Sequence, residues 1–147
     1  QLVASHIPSG IELARETPKE LVLELDAARM QEALINLLLN AAQAIETPPG
    51  RITVKALVDE VEREAVITVE DTGPGIDEEN MGKVFDPFFT TKEVGKGTGL
   101  GLSIVFGIVE KHQGSVTAER AEQGARIVIR LPLERTQEPP FCGEARA

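Results

Sequence analysis

The stretch that decides the fold reads DTGPGIDEENMGKVFDPFFTTKEVGKGTGLGL and covers residues 71–102. It contains seven of the chain's 13 glycines and three of its five phenylalanines, in a chain without Trp or Tyr. Glycine and proline interrupt any regular apolar pattern over most of this stretch, although regular patterns flank it on both sides. The middle of the chain is therefore built differently from its two ends.

Upstream of this stretch, the apolar pattern predicts strands and one helix. Alternating apolar and polar residues predict four short strands, over residues 11–15, 21–25, 52–58 and 65–69. Between the second and third of these strands, apolar residues recur at three- and four-residue steps over residues 27–46, which is typical of an amphipathic helix. Asp26 is a suitable N-cap for that helix, and Pro48, Pro49 and Gly50 end it.

Downstream of the stretch, a second helix and a hairpin complete the pattern. Helical spacing predicts a helix over residues 100–111, which Gln113 and Gly114 stop, and alternation predicts strands over residues 115–119 and 126–131. Strands joined mostly by hairpins, with helices between them, favour an α+β fold. We expect a two-layer sandwich with a mixed sheet of five or more strands and about three helices on one face. The domain would span residues 1–134, and residues 135–147 would form a flexible tail.

The composition fits one globular domain and disfavours several classes of protein. The chain has 147 residues, and 15 Lys and Arg against 24 Asp and Glu give a net charge of −9. That charge disfavours a surface that coats nucleic acid or binds an anionic membrane. The single cysteine, Cys142, cannot form an internal disulfide, so we expect a reducing, cytoplasmic location. The chain begins at Gln1 without Met, and we expect a longer parent protein, with any membrane anchor upstream.

The start of the glycine-rich stretch reads Asp71-Thr-Gly73-Pro-Gly75-Ile76 and follows a predicted strand. An ionised carboxylate only accepts hydrogen bonds, so Asp71 could bind an exocyclic amine of a ligand. The two glycines allow a tight turn and a close approach to the backbone. The alternative is an ordinary Asp-Gly turn, which this motif alone does not exclude.

The end of the stretch reads Gly95-Lys-Gly97-Thr-Gly99-Leu-Gly101-Leu and runs directly into the predicted second helix. Successive backbone N–H groups at a helix N-terminus form an anion site, for which phosphate is the usual ligand. The spacing is neither that of a P-loop nor that of a dinucleotide-binding fingerprint. A flexible linker explains the glycines equally well, but Lys92 and Lys96 in an acidic chain favour anion binding.

The predicted first helix has an unusual polar face. At helical spacing this face collects four side chains, those of Glu32, Asn36, Asn40 and Gln43. One interpretation is the solvated face of an amphipathic helix. The other is that its amide oxygens bind a hard cation, because Mg²⁺ prefers oxygen ligands and keeps waters and substrate phosphates as its other ligands.

Four motifs follow one another in a fixed order along the chain. They read Asn36-Leu-Leu-Leu-Asn40-Ala, Asp71-Thr-Gly-Pro-Gly75, Phe85-Asp-Pro-Phe-Phe-Thr-Thr-Lys92 and Gly97-Thr-Gly-Leu-Gly101-Leu. In this order they resemble the N box, first glycine box, F box and second glycine box of histidine protein kinases. The resemblance covers about residues 26–133 and is to the catalytic ATP-binding domain of the gyrase, heat-shock, histidine-kinase and MutL superfamily, with its Bergerat-type fold. The first and third motifs look most like the nitrogen-regulation type of sensor kinase.

The resemblance implies a domain that binds ATP and Mg²⁺. By analogy, Asp71 would bind the adenine amino group, Asn40 would hold Mg²⁺ on the phosphates, and Asn36 would support it from one turn earlier. Asn36 and Asn40 are thus the implied catalytic residues, with Asn40 as the metal ligand. The other nucleotide-binding residues implied are Gln43, Gly73, Gly75, Ile76, Lys92, Lys96, Gly97, Thr98, Gly99, Leu100 and Gly101. Residues 85–99 would form a mobile lid that orders around the nucleotide.

Two positions depart from the family's pattern. Gly124-Ala125-Arg126-Ile127 stands where such families often have Gly-Thr-x-Phe, so a hydroxyl is missing from the adenine side. Asn36 stands where gyrase-like ATPases and the serine kinases that inactivate sigma factors place a general-base glutamate. Because an amide cannot take a proton from water at neutral pH, Asn36 disfavours both alternatives. A nucleotide-binding regulatory module without transfer activity is a third alternative.

The resemblance also implies transfer of the γ-phosphate to a histidine that this chain is expected to lack. We expect His112 to cap or pack the end of the second helix, and His6 lacks the acidic residue that usually follows the family's acceptor. The acceptor would lie on an upstream helical hairpin of a homodimeric parent, and a response regulator receiver domain would take the phosphate from it. Three aromatic rings, those of Phe85, Phe88 and Phe89, would either anchor the lid or bind this hairpin. The isolated domain would be a monomer that binds neither nucleic acid nor membrane.

Overall fold

The structure, a computed structural model, describes residues 7–17, 23, 25–87 and 101–133 of the 147-residue chain. In chain order its elements are β1 (Ile11–Glu16), α1 (Ala27–Ala44), β2 (Gly50–Asp59), β3 (Glu64–Asp71), a 3₁₀ helix (Glu78–Asn80), α2 (Gly101–Lys111), β4 (Ser115–Arg120) and β5 (Ala125–Pro132). This confirms the α+β prediction and every predicted element except the strand over residues 21–25.

Five strands of the described chain form one mixed sheet, in the order β1-β2-β3-β5-β4. β1 runs parallel to β2, and the other neighbouring pairs are antiparallel. The β4–β5 hairpin expected from the sequence is present, and β2 and β3 form a second hairpin. β3 therefore lies in the middle of the sheet, and its last residue, Asp71, lies where the glycine-rich stretch leaves the sheet.

α1 begins at a side-chain cap and ends before the two prolines. Oδ1 of Asp26 accepts a hydrogen bond from the backbone N–H of Arg29 at 3.1 Å, which caps the first turn. The face of α1 toward the core is made by Met30, Ala33, Leu37, Ala41 and Ala42. Leu34 and Leu38, which belong to the apolar spacing over residues 27–46, are partly buried and pack against this core. The alanines let α1 approach its neighbours closely.

The core lies between the sheet and the two described α-helices. α1 and α2 pack against each other and cover one face of the sheet. The largest fully buried side chains there are Leu37, Ile52, Val105, Val109 and Ile129. Burying one side chain of this size contributes about 1.5–3 kcal/mol, so this layer supplies much of the stability of the fold. Neither described α-helix combines the length and the apolar character that a membrane crossing requires.

The predicted strand over residues 21–25 is absent at its two described positions. Leu23 and Leu25 lie outside any strand, and both pack against the core. Leu25 directly precedes the N-cap of α1 and shares the core with Met30, an arrangement typical of a hydrophobic staple. At these two positions the apolar residues make contacts with the core rather than pair in the sheet. The other positions of this segment lie outside the described residues.

The second face of the sheet carries a cluster of charged side chains. Glu70 forms ion pairs with Lys55 at 3.1 Å and with Arg126 at 2.9 Å. Burial raises the pKa of Glu70, but hydrogen bonds from Arg126 and Lys55 outweigh it and hold the pKa below its ordinary value. These long side chains surround Val66 and Val128, which are buried on this face of the sheet.

The buried His112 joins the end of α2 to the start of α1. Its Nε2 accepts a hydrogen bond from the backbone N–H of Asp26 at 3.0 Å. The ring proton is therefore on Nδ1, which donates to the carbonyl of Ile108 at 2.8 Å. Both ring nitrogens are occupied by backbone groups, in agreement with the structural role expected for His112.

Candidate functional site

Asp71 is a buried carboxylate at the end of the central strand β3. It is 7% exposed, and His112 is the other buried polar or charged side chain in the part of the chain that the structure describes. Asp71 pairs with Ile52 of β2, which lies in the core, so its side chain is on the helix-covered side of the sheet. Oδ1 of Asp71 accepts a hydrogen bond from the backbone N–H of Gly73 at 2.8 Å, and the N–H of Ala125 in β5 also donates to the carboxylate.

The surroundings of Asp71 raise the pKa of its carboxyl group and fix the orientation of its side chain. Burial raises the pKa of its carboxyl above the ordinary value, and the hydrogen bonds from Gly73 and Ala125 offset part of that rise. A carboxylate held by backbone groups from two sides has a defined orientation. Its remaining lone pairs can accept hydrogen bonds from an N–H group of a ligand, with little competition from water.

Gly73 occupies a position where no side chain fits. A Cβ at Gly73 would lie 2.8 Å from the carbonyl oxygen of Ala44, the last residue of α1, and 3.0 Å from Oδ1 of Asp71. The first glycine of the motif is therefore explained by the close approach of two backbone segments. This contact places the turn after β3 against the C-terminal end of the helix that carries Asn40.

Gly75 and Gly124 attach the same turn to the β4–β5 hairpin. Their φ angles are +85° and +84°, in the region that favours glycine. A Cβ on Gly75 would lie 3.2 Å from the carbonyl oxygen of Gly124, and a Cβ on Gly124 would overlap the carbonyl oxygen of Asp71. Gly124 thus belongs to the candidate site, although it was quoted above only within Gly124-Ala125-Arg126-Ile127 and was given no binding role. A glycine directly before a predicted strand was the signal that could have added it to the predicted site.

The asparagines of α1 lie toward the start of α2. Nδ2 of Asn36 donates to the carbonyl of Glu32 at 3.0 Å. Oδ1 of Asn36 is 3.6 Å from the position that a Cβ on Gly101 would take. Asn40, one turn further along α1, is half-buried, and Gln43 is exposed. Asn36 is therefore next to the N-terminus of α2, the end of a helix that attracts anions.

Much of the predicted phosphate-binding run lies outside the described residues. These positions are Lys92, Lys96, Gly97, Thr98, Gly99 and Leu100, together with Phe88 and Phe89. Gly101 is described and is the first residue of α2. Ile76, which ends the Asp71 motif, is half-buried and packs against the core. The structure thus brings the Asp71 turn to the end of α1 and Asn36 to the start of α2.

A polar cleft of about 670 Å³ borders Asp71 on the charged face of the sheet. We call it the outer cleft; its lining residues are Arg51, Thr53, Glu70, Asp71, Thr72, Glu122 and Gln123. Arg51 and Thr53 alternate along β2 with the buried Ile52, so they point away from the helices. Because the Asp71 carboxylate is on the helix-covered side, the outer cleft is distinct from the predicted ligand site.

Phe85 contacts an exposed ring of α2. The centroids of Phe85 and Phe106 are 6.1 Å apart. Phe85 also packs against the core, whereas Phe106 and Ile104 are 42% and 38% exposed. Phe85 therefore anchors the segment that follows the 3₁₀ helix and leaves two apolar side chains of α2 at the surface.

Known proteins are similar to this chain in sequence and in fold. The family described as histidine kinase-, DNA gyrase B-, and HSP90-like ATPase matches residues 25–135. The chain belongs to this ATPase family. Within it, the chain has the fold of histidine kinase catalytic domains: it is 35% identical to the catalytic domain of histidine kinase ThkA, with a TM-score of 0.79 over 90% of this chain and 86% of that domain. Another ThkA structure, 32% identical with a TM-score of 0.76 over 90% of this chain and 37% of that one, is a complex with the response regulator TrrA.

Two curated relatives of this ATPase domain are much longer sensor and regulatory proteins. The two-component sensor PprA of Pseudomonas aeruginosa is 39% identical over 129 residues, which cover 84% of this chain and 14% of PprA. The nitrogen regulation protein NtrY of Azorhizobium caulinodans is 39% identical over 125 residues, which cover 81% of this chain and 16% of NtrY. The chain therefore spans less than a fifth of the length of these relatives, and the nitrogen-regulation type is one among several that it resembles.

Proposed function

We propose that this ATPase-family domain is the kinase domain of a two-component sensor histidine kinase. It would transfer the γ-phosphate of Mg-ATP to a histidine on a separate helical hairpin domain. The observation that carries the proposal is the buried Asp71 carboxylate, held by the N–H groups of Gly73 and Ala125 at the end of the central strand. An acceptor in this setting suits the amino group of adenine. Family membership and the fold shared with ThkA support ATP as the nucleotide.

The rest of the nucleotide would lie along the other motifs. Gly73, Gly75 and Ile76 would border the base beside Asp71. The N-terminus of α2 at Gly101 would face the phosphates, because a helix N-terminus favours anions. The further contacts would come from Gln43 and from the predicted lid, with Lys92, Lys96, Gly97, Thr98, Gly99 and Leu100.

Asn40 would hold a Mg²⁺ ion on the phosphates. One half-buried amide oxygen on α1 fits the demand of Mg²⁺, which keeps waters and phosphate oxygens as its other ligands. Among the described residues no group of three or more His, Cys, Asp or Glu could hold a metal ion, so a site shared with the nucleotide suits this chain better than a closed protein site. When bound, the ion neutralises charge on the phosphates.

Asn36 favours phosphoryl transfer to a side chain over hydrolysis. Its Nδ2 is occupied by the carbonyl of Glu32, and an amide has no basic group that could take a proton from water. Asn36 would therefore position the start of α2 and support Asn40. This favours a histidine kinase over a gyrase-like ATPase or a serine kinase that inactivates sigma factors, because a histidine nucleophile brings its own basicity.

The acceptor histidine would belong to another domain of the parent protein. His112 is unsuited to accept phosphate in the folded domain, since it is 5% exposed and both its ring nitrogens bond to backbone groups. We propose that the acceptor lies on a hairpin that also dimerises the parent protein. A response regulator would then take the phosphate, in line with the complex of ThkA with TrrA. Because ATP would be the substrate, we propose a cytoplasmic reaction.

The aromatic side chains near the lid would contact this hairpin. Phe106 is 42% exposed and lies against Phe85, so the pair offers apolar area close to the start of α2. Exposed aromatic side chains in such a position are typical of protein contacts. Phe88 and Phe89, which lie outside the described residues, would extend the same surface.

The proposed function is tested by mixing this domain with the hairpin domain of its parent protein and γ-labelled ATP. We expect label on the hairpin that is stable in base and labile in acid, as in a phosphohistidine. A hairpin with its acceptor histidine replaced by Gln is the matched control and should stay unlabelled. Free labelled phosphate without labelled protein would indicate an ATPase, and ATP binding without either product would indicate a regulatory module.

Asn40→Ala should remove most of the Mg²⁺ dependence of ATP binding. The change deletes the amide oxygen, and we expect the ratio of ATP affinities with and without Mg²⁺ to fall about tenfold or more. Calorimetric titrations in both conditions measure this ratio. Gln31→Ala, at an exposed position of the same helix, is the control. A ratio as large as in the unmodified domain would show that the metal ligand lies elsewhere.

A further inference from the structure

Thr72 continues the pairing of β2 and β3 by one residue beyond the strand. Its Oγ1 accepts a hydrogen bond from the backbone N–H of Arg51 at 2.9 Å, and its own N–H donates to the carbonyl of Arg51 at 3.1 Å. The last regular pair of this ladder is Ile52 with Asp71. A side-chain hydroxyl therefore takes the place of a backbone carbonyl where the chain leaves the sheet.

This double hydrogen bond lies between the two groups that form the Asp71 turn. Thr72 is preceded by Asp71, whose Oδ1 accepts, and followed by Gly73, whose N–H donates to that oxygen at 2.8 Å. Such a turn closes on itself through the aspartate side chain, and this bond alone does not orient it against the neighbouring strand. Two hydrogen bonds to Arg51 attach the middle residue of the turn to β2, one from the Thr72 N–H and one to the Thr72 hydroxyl, and the hydroxyl is the part of this attachment that the side chain supplies.

Among the described residues, the charged side chains near Thr72 do not form hydrogen bonds to the Asp71 carboxylate. The guanidinium of Arg51 pairs with Glu12 on β1 at 3.1 Å. The groups that donate to the Asp71 carboxylate are backbone N–H groups. A change in the Thr72 side chain would therefore alter the orientation of the Asp71 carboxylate only by changing the geometry of the turn.

We propose that Thr72 is a positioning residue for nucleotide binding, whose hydroxyl holds the turn in which the Gly73 N–H orients the Asp71 carboxylate toward the base of ATP. This inference rests on the proposed function, in which Asp71 binds adenine. Thr72 itself makes no contact with the nucleotide and acts only by holding the turn against β2.

The test compares Thr72→Val with Thr72→Ser. Valine keeps the shape but removes the hydroxyl, and we expect the Kd for Mg-ATP to rise about tenfold. Serine keeps the hydroxyl and should restore the Kd to within about twofold of the unmodified domain. Thr53→Val, in the same outer cleft, is the matched control and should leave the Kd unchanged.

Two further measurements separate positioning from a general loss of structure. The hydrogen bond to the Arg51 N–H is exposed, so water can replace the hydroxyl, and the Tm of nucleotide-free Thr72→Val should fall by less than about 4 °C. A displaced Gly73 N–H would hold the carboxylate less well and raise the pKa of Asp71 further. The acid limb of ATP binding should therefore move to higher pH in Thr72→Val and stay in place in Thr72→Ser.

The outcomes distinguish this inference from the proposed function. An unmodified domain that fails to bind ATP refutes the proposed function and the role of Thr72 with it. If the unmodified domain binds ATP, equal affinity in Thr72→Val rejects the positioning role alone. A loss of affinity that Thr72→Ser does not restore rejects it as well.

Discussion

Asp71→Asn is expected to weaken ATP binding at least about 100-fold, or ~2.7 kcal/mol. The ionised carboxylate offers only acceptors, and it already binds the N–H groups of Gly73 and Ala125. An asparagine has one acceptor oxygen and one NH₂ group, so it must turn a donor either toward a backbone N–H or toward the amino group of adenine. Either orientation leaves two donors facing each other in a buried site. Calorimetric titration with Mg-ATP measures the loss.

The same variant should remain folded, which separates binding from stability. Burial raises the pKa of Asp71 above its unfolded value, so the stability that this group contributes is present at low pH and lost as the pH rises through the folded-state pKa. At neutral pH the buried charge therefore opposes folding, and Asp71→Asn removes the free-energy cost of burying it. We expect the unfolding free energy of nucleotide-free Asp71→Asn to stay within about 1 kcal/mol of the unmodified domain. Asp77→Asn, at an exposed position, is the control.

The titration of Asp71 also gives the binding a pH dependence. Only the ionised carboxylate is a pure acceptor, so ATP affinity should fall as the pH is lowered through the raised pKa of Asp71. The fall should begin at a higher pH than for an ordinary aspartate, and Asp71→Asn should lack it. Unchanged ATP affinity in Asp71→Asn would refute the role proposed for this residue.

Gly124→Ala is expected to destabilise the domain by about 3 kcal/mol. Its φ of +84° disfavours any residue with a side chain, and the added Cβ would overlap the carbonyl oxygen of Asp71. Relief of that overlap requires the β4–β5 turn or the end of β3 to move. Because Ala125 follows directly and donates to the Asp71 carboxylate, ATP affinity should fall with stability. Denaturant unfolding and calorimetric titration measure the two effects.

Gly107→Ala is the matched control for Gly124→Ala. Gly107 is exposed in the middle of α2, where a Cβ would meet no atom within 4 Å. Alanine is more favourable than glycine in a helix by about 1 kcal/mol, so this variant should be at least as stable as the unmodified domain. A Gly124→Ala protein with unchanged stability would show that the β4–β5 turn can rearrange around the added Cβ without loss of unfolding free energy.

Local pattern was sufficient to predict most elements of the fold. The spacing of Met30, Leu37 and Ala41 identified α1, and apolar alternation identified β2, β3, β4 and β5, because each pattern reflects which side of one element faces the core. The same reasoning failed at Leu23 and Leu25, the described positions of the strand predicted over residues 21–25. Both leucines contact the core beside a helix cap, and alternation alone does not distinguish that from a strand.

The chemistry of the candidate site could be predicted from the sequence, but only some of its residues could. Asp71, Gly73 and Gly75 were recognisable as a carboxylate followed by a tight glycine turn, since neighbours in sequence are neighbours in such a turn. Gly124 was quoted within a motif but was given no role, because its importance comes from contact with the carbonyl of a residue in another strand. Thr72 was passed over for the same reason, since its hydroxyl acts on Arg51 in the preceding strand.

The sequence by itself determined the order of the motifs, the helix that carries Asn36 and Asn40, and the place of Asp71 as a carboxylate between a strand and a glycine turn, because all of these are properties of short segments. Only the tertiary structure decided how that carboxylate is held. The register of β3 with β5 brings the Ala125 N–H to the Asp71 carboxylate, and the pairing with β2 brings Arg51 to Thr72. These partners are far apart in the chain, and they meet because the sheet must align its apolar residues under α1 and α2.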